Sequence, residues 1–332
     1  MTTSTFEMLA LRRILPSTEI QPHQFLFSWN DLPCFARGEL VALTGKAKSG
    51  KTYVCSLLMA LAVKQQLMGI SRLQDDPLRV VWIDTEQSED STHEILCMRI
   101  ASLIEQEIPE ELFFVYNLRQ DNWQDRLSHV ECIISMHKPD LVIFDGIRDV
   151  VGDINNYQEA QTVLSKMLGI ASWSNACIVC VLHQNKSLED KTLRGALGTE
   201  LQNKSFETYE CLKDPDTRIF TIRQTATRKY DIPHKLEFTV DSNGLPTWEQ
   251  ETKRLQLTKS TEEIVQSVAR GEDVMRSSVF ANQIKGKYPE MRNNYRYNGF
   301  LFDAFNKGLM KKETLPSGEV FYRFCYPQQE LF

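Results

Sequence analysis

No stretch of this 332-residue chain approaches the ~20 consecutive apolar residues that cross a bilayer, so no transmembrane segment and no membrane partner are expected. The opening Met1-Thr2-Thr3-Ser4-Thr5-Phe6-Glu7 lacks a basic stretch followed by an apolar core, so no secretory signal is expected and the expected location is cytoplasmic. Eight cysteines are too scattered for a disulfide framework and read as reduced thiols. Cys177 and Cys180 have C-x-x-C spacing, but they fall in a strand-like run, where residues three apart face opposite ways. No second Cys/His pair at zinc-ligand spacing accompanies them, which argues against a zinc site. Internal repeats and low-complexity tracts are also absent. Nor is there an overall basic excess: the net charge of −6 excludes a chain that is a nucleic-acid clamp throughout. Charge is uneven, however. From residue 253 onward 13 Lys/Arg face 9 Asp/Glu, a local +4 that leaves −10 upstream.

What is present is a globular composition, 42% hydrophobic and 25% charged, in a length that suits two domains. Apolar runs at Glu39 to Thr44, Val80 to Asp84, Leu112 to Tyr116, Leu141 to Asp145 and Ala176 to His183 alternate with helical stretches. The helices expected are Tyr53 to Gln66, Ser91 to Gln106, Trp123 to His137 and Tyr157 to Ser174. Near-continuous Val/Ile/Leu content suits strands buried on both faces, so the expected fold class is α/β with a mainly parallel sheet. Arg218 to Gln224 and Lys235 to Val240 read as antiparallel strands extending one edge. The Gly244-Leu245-Pro246 turn and the polar stretch Gln250 to Lys259 mark a boundary. The expected division is an N-terminal segment, 1–35, a nucleotide-binding domain, 36–250, and a small domain, 256–332. In the last, Thr261 to Arg270, Ser277 to Gly286 and Asn293 to Lys307 read as helices and Gly308 to Phe324 as a hairpin with its tip at Leu315-Pro316-Ser317-Gly318. Phe300, Leu301, Phe302, Phe305 and Leu309 fall at core spacing.

Gly45-Lys46-Ala47-Lys48-Ser49-Gly50-Lys51-Thr52 spells G-x-x-x-x-G-K-T between a strand and a helix, and Tyr53 follows directly. Glycines let backbone N–H groups close around phosphate oxygens, and the following helix adds its positive end. Lys51 then supplies a charge to the β and γ phosphates and Thr52 a hydroxyl ligand for Mg²⁺. Leu141-Val142-Ile143-Phe144-Asp145 is an apolar strand ending in an acid, the Walker B pattern, with Asp145 placed to hold the metal's water shell. The absence of an N-K-x-D motif favours ATP over GTP.

Val80-Val81-Trp82-Ile83-Asp84-Thr85-Glu86 follows the phosphate-loop helix, and Ala36-Arg37-Gly38-Glu39 leads into the loop. On these motifs residues 25 to 240 resemble RecA-like P-loop ATPases, including the RepA- and DnaB-type hexameric replicative helicases and the KaiC-like group. The resemblance implies that Glu86 polarises the attacking water, with Asp84 as the alternative base. It implies a γ-phosphate sensor at the strand tip His183-Gln184-Asn185-Lys186, where His183 and Gln184 are the candidates. The polar loop running on to Leu193-Arg194-Gly195 belongs to the same pattern. It also implies a homo-oligomer, with a hexamer as the ring the family forms, in which a neighbour's arginine acts. Arg223 and Arg228 are candidates for it, although their spacing departs from the helicase K-x-R pattern.

Three helices and a hairpin resemble a winged helix. Arg292, Asn293, Asn294, Tyr295, Arg296, Tyr297 and Asn298, with Lys311, Lys312 and Arg323 on the hairpin, suit DNA phosphates and bases, and protein contact is the alternative. The combined expectation is a Mg-dependent ATPase serving DNA replication or mobilisation of a plasmid or mobile element. The alternatives are a non-motor ATP-dependent switch and a DNA-binding accessory factor.

Overall fold

The computed structural model describes residues 7, 9, 10, 12–184, 195–241, 244–248, 260–269, 271–288, 291, 297, 300, 301, 303–305, 307–315 and 317–325. Its contacts divide the chain into two units, Met1–Leu236 and Glu237–Phe332.

In the first unit, β1 (Phe25–Trp29) and β2 (Leu32–Ala36) form a hairpin ahead of β3 (Leu40–Gly45) and α1 (Lys51–Leu61). After the short β4 (Gln66–Leu67) and β5 (Ile70–Arg72) come β6 (Val80–Asp84) and α2 (Glu89–Glu94), which runs through a π-helical segment, Ile95–Ile100, into α3 (Ala101–Ile104). Then follow β7 (Phe113–Asn117), α4 (Trp123–His137), β8 (Leu141–Asp145), α5 (Tyr157–Ser174), β9 (Cys177–His183), α6 (Gly195–Lys204), β10 (Glu207–Lys213) and β11 (Phe220–Thr227). The five strands expected from apolar runs are all present, each within a residue of its expected bounds at either end.

The strands of this unit's main sheet stand in the order β11-β10-β3-β9-β8-β6-β7. From β10 to β7 every pairing is parallel, and β11 returns antiparallel on β10. Burial explains the composition: Leu141, Val142, Ile143 and Phe144 are wholly enclosed, as are Val80, Val81, Trp82 and Ile83. Each such side chain stabilises by roughly 1.5–3 kcal/mol, which polar substitutes would forfeit. Register places Gly45 beside His183, Asp84 beside Asp145, and Glu210 beside Thr44. The carboxyl ends of six parallel strands therefore open on one edge, where ligands bind in open α/β sheets. Cys177 and Cys180 are buried free thiols, the latter pushed up to about 12 by burial.

The expectation for 1–35 left its structure open. It supplies β1 and β2, which with β5 and β4 make a separate antiparallel sheet in the order β2-β1-β5-β4. Phe35 takes a left-handed φ of 59°, unfavourable for an aromatic residue. Two contacts hold it: its ring stacks on Tyr209 at 4.9 Å, and its N–H donates to Glu207 Oε2 at 2.7 Å. Glu207 is 1% exposed, with Oε1 unpartnered, and burial pushes its carboxyl up to about 7 against the bonds from Phe35 and Tyr209.

In the second unit β12 (Lys235–Val240), which begins at the boundary, pairs antiparallel with β13 (Pro246–Thr247). Then come α7 (Thr261–Ala269), β14 (Val274–Arg276), α8 (Ser277–Lys287), β15 (Met310–Thr314) and β16 (Val320–Phe324). The described residues among 297–305 are helical. The hairpin sits where expected, its turn closed by Gly318 at φ 82°, and β14 adds an unforeseen third strand in the order β14-β16-β15. Phe300 joins Phe280, Ile264, Val268, Met310 and Phe324 in the core, with Leu301, Phe305 and Leu309 packed against it. Phe302 lies outside the described residues. Among the described residues no helix is long and apolar enough to cross a membrane.

Glu207 sets a pH dependence of stability. The folded chain keeps a proton up to about pH 7 that the unfolded chain releases near 4.5, so stability falls as pH rises through that window. Denaturant titrations at pH 5 and pH 8 are expected to differ by up to ~3 kcal/mol more in wild type than in Glu207→Gln. Equal slopes in the two proteins would refute this.

Candidate functional site

The loop between β3 and α1 is built around two glycines with backbones closed to other residues. Gly45 has φ 153°, and a Cβ there would lie 2.4 Å from the Cys211 carbonyl oxygen and from Ser49 Oγ. Gly50 has φ 98°, and its Cβ would meet the Phe220 ring at 2.6 Å. Gly50 also precedes α1 without a side-chain cap, so the helix presents its first N–H groups to whatever anion binds there. Ser49 Oγ is buried without a partner, while Lys46, Ala47 and Lys48 are exposed. This donor-rich cradle fits a phosphate chain.

Lys51, the first residue of α1, is 6% exposed. Its Nζ donates to the carbonyls of Gly45 (3.1 Å) and Lys46 (2.9 Å) and to His183 Nδ1 (3.0 Å). Burial lowers its pKa, opposed by charges that include Glu86 and Asp145. Because Nδ1 accepts, His183 carries its proton on Nε2, which faces Glu86 Oε1 at 3.4 Å. Glu86 is held below the usual carboxylate range by the His183 hydrogen bond first, then by the charge of Lys51, against burial. Lys51, His183 and Glu86 thus form one chain across the tips of β3, β9 and β6.

Asp145 is 3% exposed at the end of β8, and its carboxyl is pushed up to about 7 by burial, then by Glu86 and Asp84, with Lys51 and the Thr52 hydroxyl opposing. A buried acid beside two others calls for a cation, and Thr52 with Asp145 fits Mg²⁺. Among the described residues no cluster of three His, Cys, Asp or Glu could cage a metal by itself.

Asp84, the alternative base, has another task. Its Oδ1 accepts from the N–H groups of Glu86 and Gln87, both at 3.0 Å, and its Oδ2 from Gln87 Nε2 (3.0 Å) and Thr92 Oγ1 (2.7 Å). Those four bonds use its acceptor capacity and shape the turn that presents Glu86. Thr85 secures the same turn from the other side through the carbonyls of Asp145 and Gly146 and the Asp149 carboxylate. Gly146, at φ 107°, permits that approach, since a Cβ would fall 2.1 Å from Thr85 Oγ1 and 3.0 Å from Glu86 Cγ. Neither Thr85 nor Gly146 was singled out from sequence, although a glycine directly after a strand-ending acid was the available signal.

Gln184 stands beside the loop, its N–H donating to the Gly45 carbonyl at 3.1 Å and its Nε2 to Glu210 Oε1 at 2.9 Å. Arg223 on β11 donates to Glu210 Oε2 from Nε (2.9 Å) and Nη2 (2.6 Å). Glu210 was also missed from sequence, since the mixed run Glu207-Thr208-Tyr209-Glu210-Cys211-Leu212-Lys213 of β10 carries no local signal for it. Arg228 directly follows β11. It lies at the far end of β11, beside the start of β10, and its guanidinium binds the carbonyls of Ser205 and Asn203, so it fastens the segment after α6. Tyr53 is beside Phe220, with ring centroids 5.5 Å apart, and the Arg99 guanidinium lies 4.2 Å over its ring. Lys311 and Lys312 are exposed on β15, opposite Arg323 and Tyr322. Arg292, Asn293, Asn294, Tyr295, Arg296 and Asn298 lie outside the described residues, as do Asn185, Lys186, Leu193 and Arg194.

This fold and site define a P-loop core of the α/β class. The chain belongs to the AAA domain family, whose model matches residues 22–189. A solved structure similar to it is that of a KaiC-like protein from the hyperthermophilic archaeon Pyrococcus horikoshii, 13% identical, with 64% of this chain and 91% of that one covered at a TM-score of 0.46. No curated protein matches the sequence.

Gly146→Ala is expected to cost ~1–3 kcal/mol through backbone strain and displacement of Thr85 and Glu86. Thermal denaturation checks the loss, and an unchanged melting temperature would mean that the turn yields freely.

Proposed function

We propose that this protein is a Mg²⁺-dependent ATPase acting on DNA in the replication or mobilisation of a plasmid or mobile element, as a RepA-like motor. The working parts are an ATPase domain at 36–250, preceded by the segment 1–35, and a winged-helix-like DNA-contacting domain at 256–332. One observation carries the reading: the chain of contacts from Lys51 through His183 to Glu86 ends beside Asp145, at the edge where the phosphate loop opens.

In this reading Gly45 to Tyr53 enclose the triphosphate, and Lys51 exchanges its loop carbonyls for phosphate oxygens. Thr52 and Asp145 hold Mg²⁺, which supplies charge neutralisation to the phosphates. Glu86 orients water for attack on the γ-phosphorus and accepts its proton as the bond to the β–γ bridging oxygen breaks. His183 and Gln184 monitor the γ-phosphate. Arg223 and Arg228 are the candidates to act on a neighbouring subunit; Arg223 is half exposed on β11, and each now bonds within its own chain, Arg223 to Glu210 and Arg228 to the Ser205 and Asn203 carbonyls. Support for DNA contact is the exposed Lys311 and Lys312 on the hairpin, together with the basic balance beyond residue 253.

ATP turnover of wild type, Lys51→Ala and Glu86→Gln, with and without single- and double-stranded DNA, tests the proposal when mass is followed by light scattering. Each substitution is expected to lower kcat by about 10²–10⁴-fold, and DNA is expected to stimulate a multi-subunit wild type. Near-normal turnover in both variants would refute the mechanism. Slow, DNA-indifferent turnover by a monomer would replace the motor with a regulatory switch or DNA-binding accessory factor.

A further inference from the structure

Glu210 belongs to no phosphate-loop, Walker B or sensor motif, yet its carboxylate connects three strands at the open edge. It lies on β10 in register with Thr44, one position before the residue beside Gly45, and its side chain is 7% exposed. A carboxylate so enclosed is costly unless donors satisfy it. One oxygen accepts from Gln184, the residue after β9, and the other takes both guanidinium contacts from Arg223 on β11.

The consequence for Gln184 is a choice of face. A side-chain amide can rotate to exchange its oxygen and nitrogen at little cost, and only its partners fix the orientation. Here the rotated form would set the amide oxygen against the Glu210 carboxylate, so the nitrogen stays directed toward Glu210. The Gln184 backbone is meanwhile pinned to Gly45. The Arg223 guanidinium holds the other carboxylate oxygen at 2.6 and 2.9 Å, and so supports this selection from β11.

We infer that Glu210 is a positioning residue for ATP hydrolysis, holding Gln184 in one amide orientation beside the phosphate loop and tying that orientation to Arg223. The inference rests on the ATPase reading and adds a cis role for Arg223 to the trans role considered above.

The test combines steady-state ATP hydrolysis with titration of a fluorescent ADP analogue, for wild type, Glu210→Gln, Gln184→Ala and the double variant. Glu210→Gln is expected to lower kcat by about 10–100-fold, with KM for ATP and affinity for the ADP analogue within about twofold of wild type. Gln184→Ala is expected to match it, and the double variant to be no worse than either, because both remove one unit. Equal losses in kcat and ADP binding, or additive effects, would make Glu210 a structural residue only and overturn the inference. Should Glu210→Gln fold poorly, Arg223→Lys preserves the charge but loses the two-point contact, and its kcat is expected to fall with KM unchanged. Unaltered kcat in that variant is equally fatal. Wild-type turnover no faster than that of Lys51→Ala would remove the ATPase reading and this inference together, whereas active wild type with fully active Glu210→Gln removes this inference alone.

Discussion

Lys51 takes a positive charge almost wholly out of water, and much of the site can be understood as compensation for that. Its three N–H groups find two loop carbonyls and a histidine nitrogen. Because the histidine must accept, its other nitrogen is obliged to donate, and Glu86 is the acceptor within reach. A requirement of one buried ammonium thereby fixes the histidine tautomer and the charge state of a carboxylate on another strand. None of this could form without the parallel register that sets Gly45 beside His183 and Asp84 beside Asp145.

Environment divides the three neighbouring acids among different tasks. Asp145 is enclosed and disfavoured as an anion, so it gains most from a cation. Asp84 spends its oxygens on the turn after β6 and has little left for chemistry. Glu86, more open and stabilised by His183, is ionised at neutral pH. A carboxylate stabilised in this way is a weak base, which under the proposed mechanism takes the water's proton only as the bond to the leaving oxygen breaks.

Much of this was legible from sequence because it depends on local rules. Gly45, Gly50, Lys51 and Thr52 announce themselves by spacing, and the run from Leu141 to Asp145 by uninterrupted burial ending in an acid. The choice between Asp84 and Glu86 was not legible, since two acids at one strand end differ only in the hydrogen bonds each receives. Glu210 and Arg223 lie on successive antiparallel strands, and their meeting with Gln184 depends on β10 standing beside β3, a long-range pairing without a local signature. The surroundings of Arg228 were not legible for a related reason. Five residues along β11 carry the chain from one edge of the sheet to the other, a distance that composition does not reveal.

The same geometry gives a reason for β11 to be antiparallel. A parallel successor to β10 would need a crossover and would place its own carboxyl end at the nucleotide edge. A hairpin return starts at that edge, so residues early in β11, such as Arg223, lie near the carboxyl ends of the parallel strands. Phe220 illustrates the inward part of this arrangement, packing where a Cβ on Gly50 would stand. Arg223 illustrates the outward part, half exposed yet bonded to the carboxylate that holds Gln184. The start of β11 is therefore joined to the residue after β9 by two hydrogen-bonded side chains, Arg223 to Glu210 and Glu210 to Gln184, a link made across the sheet by side chains rather than by its backbone.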